Sequence, residues 1–217
     1  MSLFADLKAM VKSQKPLKVV VLGDSKSGKT ALVRRLVQND FSHFYEPTVE
    51  DKHKKKIICN GETYDLEIVD TAGKELIADM TDRYIHYADA FIVCYSVADT
   101  TSFEKAIQLL QRISILRNVP DIGRILVGCK CDATYREISS EEGNEVSEHL
   151  QVSFAETSAI FCANVVEVFE ECISQFHYIN VLRKSPPPSF DKRRQFYQNN
   201  DDQWYPRKGN NNFCCFL

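Results

Sequence analysis

The chain has 217 residues, 44% of them hydrophobic and 26% charged, which is enough for one well-cored domain with tails. No apolar run approaches the roughly 20 residues needed to cross a bilayer, and Asp6 and Lys8 break up any signal-peptide core in MSLFADLKAMVKSQKP, so a cytosolic chain is expected. The net charge of -3 is uneven: residues 17–182 carry -9, the first sixteen +2 and residues 183–217 +4. Basic ends suit an anionic lipid surface, though they also serve solubility alone.

In chain order, residues 18–23 (KVVVLG) form an apolar run bounded by Pro16 and a glycine, as in a strand buried on both faces. Leu32, Val33, Leu36 and Val37 then recur at helical spacing. Runs 54–59 and 63–69 flank Asn60-Gly61, the strongest short hairpin signal, so these strands are expected to be antiparallel neighbours. Runs 91–97, 124–128 and 152–155 read as further strands, and 102–116, 140–150 and 165–182 as helices. Alternation of this kind implies right-handed crossovers. The expected fold is α/β. It has a six-stranded, mostly parallel sheet with one antiparallel edge strand and helices on both faces. After Lys184 the pattern stops, and a Pro-rich then Asn-rich stretch reads as a flexible tail. The aromatics in it (Phe190, Phe196, Tyr197, Trp204, Tyr205, Phe213) suit either a lipid interface or unstructured chain. The expected organisation is an N-terminal extension at 1–16, one folded domain at 17–182 and a tail at 183–217. Six of the eight cysteines are spread through the body, as in a reducing compartment rather than a disulfide framework. Cys129-Lys130-Cys131 has no second ligand pair, so zinc is not expected there.

Ligands of such sheets bind at the carboxyl ends of the strands. Strand one is followed by Gly23-Asp24-Ser25-Lys26-Ser27-Gly28-Lys29-Thr30, the G-x-x-x-x-G-K-[ST] phosphate loop, so the expected fold is of the P-loop NTPase kind. Its backbone N–H groups wrap phosphates, and the next helix N-terminus favours negative charge. Lys29 is placed to reach the outer phosphates and the Thr30 hydroxyl to meet Mg²⁺. Strand three ends at Asp70-Thr71-Ala72-Gly73, where the carboxylate suits a Mg²⁺ anchor better than a turn cap. Strand five ends at Cys129-Lys130-Cys131-Asp132. A carboxylate there accepts from guanine N1–H and its exocyclic amine, donors that adenine lacks, giving selectivity of ~10⁴ in well-built sites. Strand six runs into Glu156-Thr157-Ser158-Ala159, whose backbone N–H groups suit guanine O6.

These four segments, in this order, resemble the Ras superfamily of small GTPases over about residues 17–182. The stretch from Phe41 to Asp51 (FSHFYEPTVED) resembles a Ras-subfamily first switch. The resemblance implies bound GTP or GDP with Mg²⁺, held by Thr30, Thr48 and, through its anchor, Asp70. It also places Ala31 at the phosphates, Phe41 edge-on to the guanine and Tyr45 over the phosphates. Thr48 would ligate Mg²⁺ only with the γ-phosphate present. Val49, Glu50 and Asp51 resemble the effector-binding segment, and residues 72–84 the second switch, with the Gly73 N–H on the γ-phosphate. Implied partners are effector proteins, an exchange factor and an activating protein, with no nucleic acid and a monomeric chain.

Four positions depart from that pattern. Ser25 stands where Gly is common and Lys74 where a Gln orients the attacking water; Lys offers neither an amide nor a proton acceptor there. Cys129 replaces an Asn that ties the base loop to the phosphate loop, and Ile160 replaces a Lys that stacks on the base. The catalytic positions by resemblance are therefore Thr48, Gly73 and Lys74, with slow hydrolysis expected. The rival reading is a pseudo-GTPase module held in the GTP state or exchanging fast. A P-loop kinase would need an arginine-bearing lid, and no insertion supplies one. Lys52-His53-Lys54-Lys55-Lys56 opens the hairpin's edge strand and reads as a guard against strand aggregation. The ending Cys214-Cys215-Phe216-Leu217 reads as C-a-a-X, predicting geranylgeranylation of Cys214 and the cytoplasmic face of the plasma membrane. It resembles Ral-type endings, and a CC-x-x ending with both cysteines lipidated is the alternative. One chain anchors weakly, so Lys192-Arg193-Arg194 and Arg207-Lys208 are the expected second signal.

Overall fold

The computed structural model describes residues 15–42, 50–59, 61–73, 78–117 and 122–184. Six strands form one sheet: β1 (Leu17–Gly23), β2 (Glu50–Cys59), β3 (Glu62–Thr71), β4 (Ala90–Ser96), β5 (Gly123–Cys129) and β6 (Ser153–Thr157). Their spatial order is β2-β3-β1-β4-β5-β6. Only the β2–β3 pair is antiparallel; β1 pairs in parallel with β3 and β4, as do β4 with β5 and β5 with β6. The expected fold class holds in full. The helices are α1 (Lys29–Gln38), α2 (Ala78–Tyr87), α3 (Thr100–Leu116), α4 (Ser140–Leu150) and α5 (Val165–Lys184). No helix among the described residues is long and apolar enough to cross a membrane.

The central strands are apolar throughout because successive side chains enter opposite cores. On one face Val19, Val21, Ile92, Cys94, Ile125 and Val127 meet Leu32 and Leu36 of α1 and Phe169 and Cys172 of α5. On the other, Val20, Leu22, Phe91, Val93, Tyr95 and Leu126 meet Ile85 of α2 and Leu110 and Ile113 of α3. Strand β2 takes the sheet edge, with Cys59 paired to Glu62 across the two-residue connection; Asn60 lies outside the described residues. Lys52, Lys54 and Lys56 are exposed along it. Helix α2 is the element that the sequence did not announce: ADMTDRYIHY offers one polar-rich turn after another.

Helices α3 and α4 are capped from their own sequence. The Asp99 carboxylate accepts from Ser102 N–H at 3.2 Å. At α4, Ser139 and Glu142 close a reciprocal box, with Glu142 N–H to Ser139 Oγ at 3.1 Å and Ser139 N–H to Glu142 Oε2 at 2.7 Å. Phe169 is fully buried between α5 and the sheet. Phe169→Ala should therefore cost about 3–5 kcal/mol of stability, read as a lower urea midpoint with an unchanged slope.

Candidate functional site

The loops at the carboxyl ends of β1, β3, β5 and β6 converge on one end of the sheet. Helix α1 begins there without a side-chain cap: Gly28 holds the N-cap position at φ 116°, and the first turn carries no acidic residue. Its leading N–H groups are thus left for an anion, unlike those of α3 and α4. Gly28 is required twice over, by that φ and because a Cβ on it would lie 2.7 Å from the Cys129 Cβ. Lys29 is buried, and its ammonium donates to the Asp24 carbonyl at 2.7 Å, folding the loop over itself. The Asp24 carboxylate in turn binds Lys105 of α3 at 2.7 Å. Ser25 is half-buried and Lys26 is exposed in the left-handed region at φ 62°. Ser27 is fully buried and its hydroxyl has no hydrogen-bond partner.

Asp70 is the penultimate residue of β3, enclosed like Thr71 after it, with both carboxylate oxygens outside hydrogen-bonding geometry among the described residues. Burial pushes its carboxyl above the usual value; the nearby Thr30 hydroxyl and Lys29 ammonium oppose the shift without cancelling it. An orphaned, buried carboxylate beside a hydroxyl is an all-oxygen, hard donor set, and it fits Mg²⁺. Gly73 approaches the phosphate loop so closely that a Cβ on it would sit 2.3 Å from Ser25 N. Helix α2 overlaps the segment expected as the second switch, residues 72–84, and is bound to α3 by Arg112, which grips Asp82 at 3.1 and 2.7 Å.

The other half of the site is built on β5 and β6. Cys129 is buried against Gly28. The neighbouring Cys129 thiol, then burial, holds Cys94 well above the usual thiol range. Cys129 thus packs under the phosphate loop by contact, and Lys130 makes the polar tie, donating to the Lys26 carbonyl at 2.6 Å. Asp132 is half-buried in the turn that follows. The 157–163 loop is stapled three ways. Arg136 pairs with the buried Glu156 carboxylate, Asn164 Nδ2 donates to the Glu156 carbonyl at 2.8 Å, and Ser158 and Ala163 bridge each other's backbones. The Ser158 N–H is spent on Ala163 at 3.2 Å, so of the Ser158-Ala159 pair only the Ala159 N–H is without an acceptor among the described residues. Ile160 is exposed beside it.

The structure therefore brings together residues 23–31, Asp70, Gly73, Cys129, Lys130, Asp132, Ser158, Ala159 and Ile160. Phe41 is half-buried just after α1. Glu50 and Asp51 lie exposed at the start of β2, where Glu50 accepts from Tyr84 of α2 at 2.5 Å and contacts Lys52 at 3.5 Å. Tyr45, Thr48, Val49, Lys74 and Cys214 fall outside the described residues. Sequence reasoning missed Arg35, whose guanidinium reaches the base-side loop, and the Asp24–Lys105 pair. Neither carries a local signal: Arg35 follows Arg34 in a helix where both positions are polar.

Comparison with known proteins agrees with this geometry. A family model described as "Ras family" matches residues 18–178. The chain is 31% identical over 163 residues to "Ras-like protein rasX" of Dictyostelium discoideum, covering 75% of this chain and 76% of that protein. It is 32% identical over 158 residues to "Ras-like protein rasV" of the same organism, covering 72% and 69%.

Removing the buried charge at residue 70 tests the metal reading. The folded-state value of Asp70 lies above the ordinary 3.8, so the ionised group costs stability at neutral pH. Without nucleotide or Mg²⁺, Asp70→Asn should unfold at higher urea than wild type, by on the order of 1–3 kcal/mol. That gain should fade as pH falls through the folded value toward 3.8. Mg²⁺ with nucleotide should reverse the order at neutral pH by stabilising wild type alone.

Proposed function

The chain belongs to the Ras family of small GTPases, and from that premise we propose a membrane-anchored GTP/GDP switch whose intrinsic hydrolysis is slow. The observation that carries the nucleotide reading is the Asp70 carboxylate, buried and orphaned beside Thr30 at the foot of an uncapped helix. Phosphates would satisfy the α1 N–H groups, with Lys29 swinging from the Asp24 carbonyl to meet them. Mg²⁺, held through Thr30 and Thr48 and anchored by Asp70, supplies charge neutralisation at the transferring phosphoryl group. Asp132 supports guanine over adenine by accepting from N1–H and the exocyclic amine. Effectors would meet Val49, Glu50 and Asp51 at the β2 edge, with an exchange factor and an activating protein as regulators.

Slow hydrolysis rests on two side chains. Lys74 has no amide with which to orient the attacking water. Ser25 adds a hydroxymethyl group where Gly73 already crowds the loop. Misplacing a reacting group by ~1 Å costs ~10²-fold. The second reading, a pseudo-GTPase held with GTP, is favoured by the same two residues. One assay separates them: nucleotide bound to the purified chain, then single-turnover GTP hydrolysis. The expected result is GTP or GDP bound, ATP rejected, and turnover ~10²-fold slower than in Ser25→Gly/Lys74→Gln. Equal rates in wild type and double mutant would make this an ordinary cycling enzyme, and no turnover in either would leave a binding module.

Anchoring would come from a prenyl group on Cys214 at the cytoplasmic face of the plasma membrane, aided by Lys192-Arg193-Arg194 and Arg207-Lys208. Basic residues contribute only about 1 kcal/mol each near an anionic surface. Cys214→Ser should accordingly move the protein to the soluble fraction on cell fractionation, and retention on membranes would show a different anchor.

A further inference from the structure

Arg35 lies on α1, the helix whose N-terminus faces the phosphates, yet its side chain works on the other half of the site. Nε donates to the Ala159 carbonyl at 2.6 Å, one terminal nitrogen to the Ile160 carbonyl at 3.1 Å, and the other to the Asn39 carbonyl at 3.1 Å. Asn39 is the left-handed C-cap of α1, so the third bond fixes the guanidinium against its own helix. Two consecutive carbonyls of the 157–163 loop are thereby drawn onto α1 by one rigid, charged fork.

The geometry of the amide then decides what the loop presents. In a trans peptide the N–H points opposite to the C=O. Holding the Ala159 carbonyl toward α1 turns the Ile160 N–H away from it. The Ser158 N–H is already committed to Ala163, and the Ala159 and Ile160 N–H groups have no acceptor among the described residues. This loop also lacks the lysine that would cover the base, with Ile160 in its place, and Cys129 offers contact where an amide would give hydrogen bonds.

We propose that Arg35 is a positioning residue for guanine: it holds the Ala159–Ile160 backbone so that its donors meet the O6 of the base. This rests on the guanine reading above and adds to it the residue that sets the loop. It also makes α1 the common support of both ends of the ligand, phosphates at its first turn and base loop at its second.

The test uses the full-length chain with Mg²⁺ and equilibrium competition against a fluorescent guanine nucleotide. The competitors are GDP and the diphosphate of 2-aminopurine riboside, which keeps the exocyclic amine and lacks both O6 and N1–H; the lost N1–H contact with Asp132 is common to wild type and variants, so the change between them reads O6. Arg35→Met keeps much of the stem and removes the donors; it should weaken GDP about tenfold and the O6-lacking nucleotide less than about twofold. Arg35→Lys, which keeps the charge and can reach one carbonyl, should recover part of the GDP affinity. Equal weakening of both competitors would assign Arg35 a merely structural role and overturn the proposal, as would unchanged GDP affinity. Should Arg35→Met fail to fold, Arg35→Lys decides alone: it must lose GDP affinity selectively over the O6-lacking nucleotide, or the proposal falls. A wild type that prefers GDP while both variants keep the full preference overturns only the role of Arg35. A wild type with no preference for GDP over the O6-lacking nucleotide, or over ADP, overturns the guanine reading itself.

Discussion

A buried carboxylate without a well-formed hydrogen bond and a helix N-terminus without a side-chain cap are both unstable arrangements on their own. Here they stand side by side, Asp70 at the end of β3 and the first turn of α1 beneath the phosphate loop. Each lacks what a bound ion pair would bring: a cation for the carboxylate, an anion for the amides. The two cores on either side of the sheet offset this local cost. Among the described residues, three of the four buried side-chain oxygens outside hydrogen-bonding geometry, Ser27 Oγ and both of Asp70, lie at this one point, and such concentration is how a fold stores affinity for a ligand.

The base side solves a different problem, which is holding its loops in shape through contacts between distant elements. Lys130 reaches across to Lys26, and both residues sit in the left-handed region that few non-glycine residues adopt. The ion pair of Arg136 with Glu156 and the Asn164 bond to the Glu156 carbonyl fix the floor of the next loop, while Arg35 fixes its outer wall. Rigidity at the base is thus distributed over several polar contacts from separate elements, and losing one anchor in evolution need not free the loop.

What could be read from the sequence was whatever depends on neighbours along the chain. The glycines, Lys29 and Thr30 announce a phosphate site because their spacing alone shapes the loop; the hairpin declares itself at Asn60-Gly61; each central strand is apolar because it is buried on both faces. Helix α2 escaped although Met80, Tyr84 and Tyr87 recur at helical spacing, because it is only ten residues long and lies in a stretch read by resemblance as a switch. The contacts that tune the site escaped for a different reason. Arg35 and Ala159 are 124 positions apart, Lys130 and Lys26 104, Lys105 and Asp24 81. No local pattern encodes which of many surface cations will find such a carbonyl or carboxylate, and only the assembled sheet selects them. The same holds for Ser158, whose N–H was open to the base until the fold paired it with Ala163.

The edge strand β2 offers a last consequence. Its outer rim is open, and four lysines and a histidine occupy five consecutive positions in its middle. Two copies of the chain aligned rim to rim would bring this run against itself in either direction, cation facing cation, with Asp65 and Glu50 already engaged by Lys56 and Lys52. The lysine run therefore opposes pairing of two copies along this edge, and a strand that did pair here would gain from carboxylates placed opposite Lys52, Lys54 and Lys56.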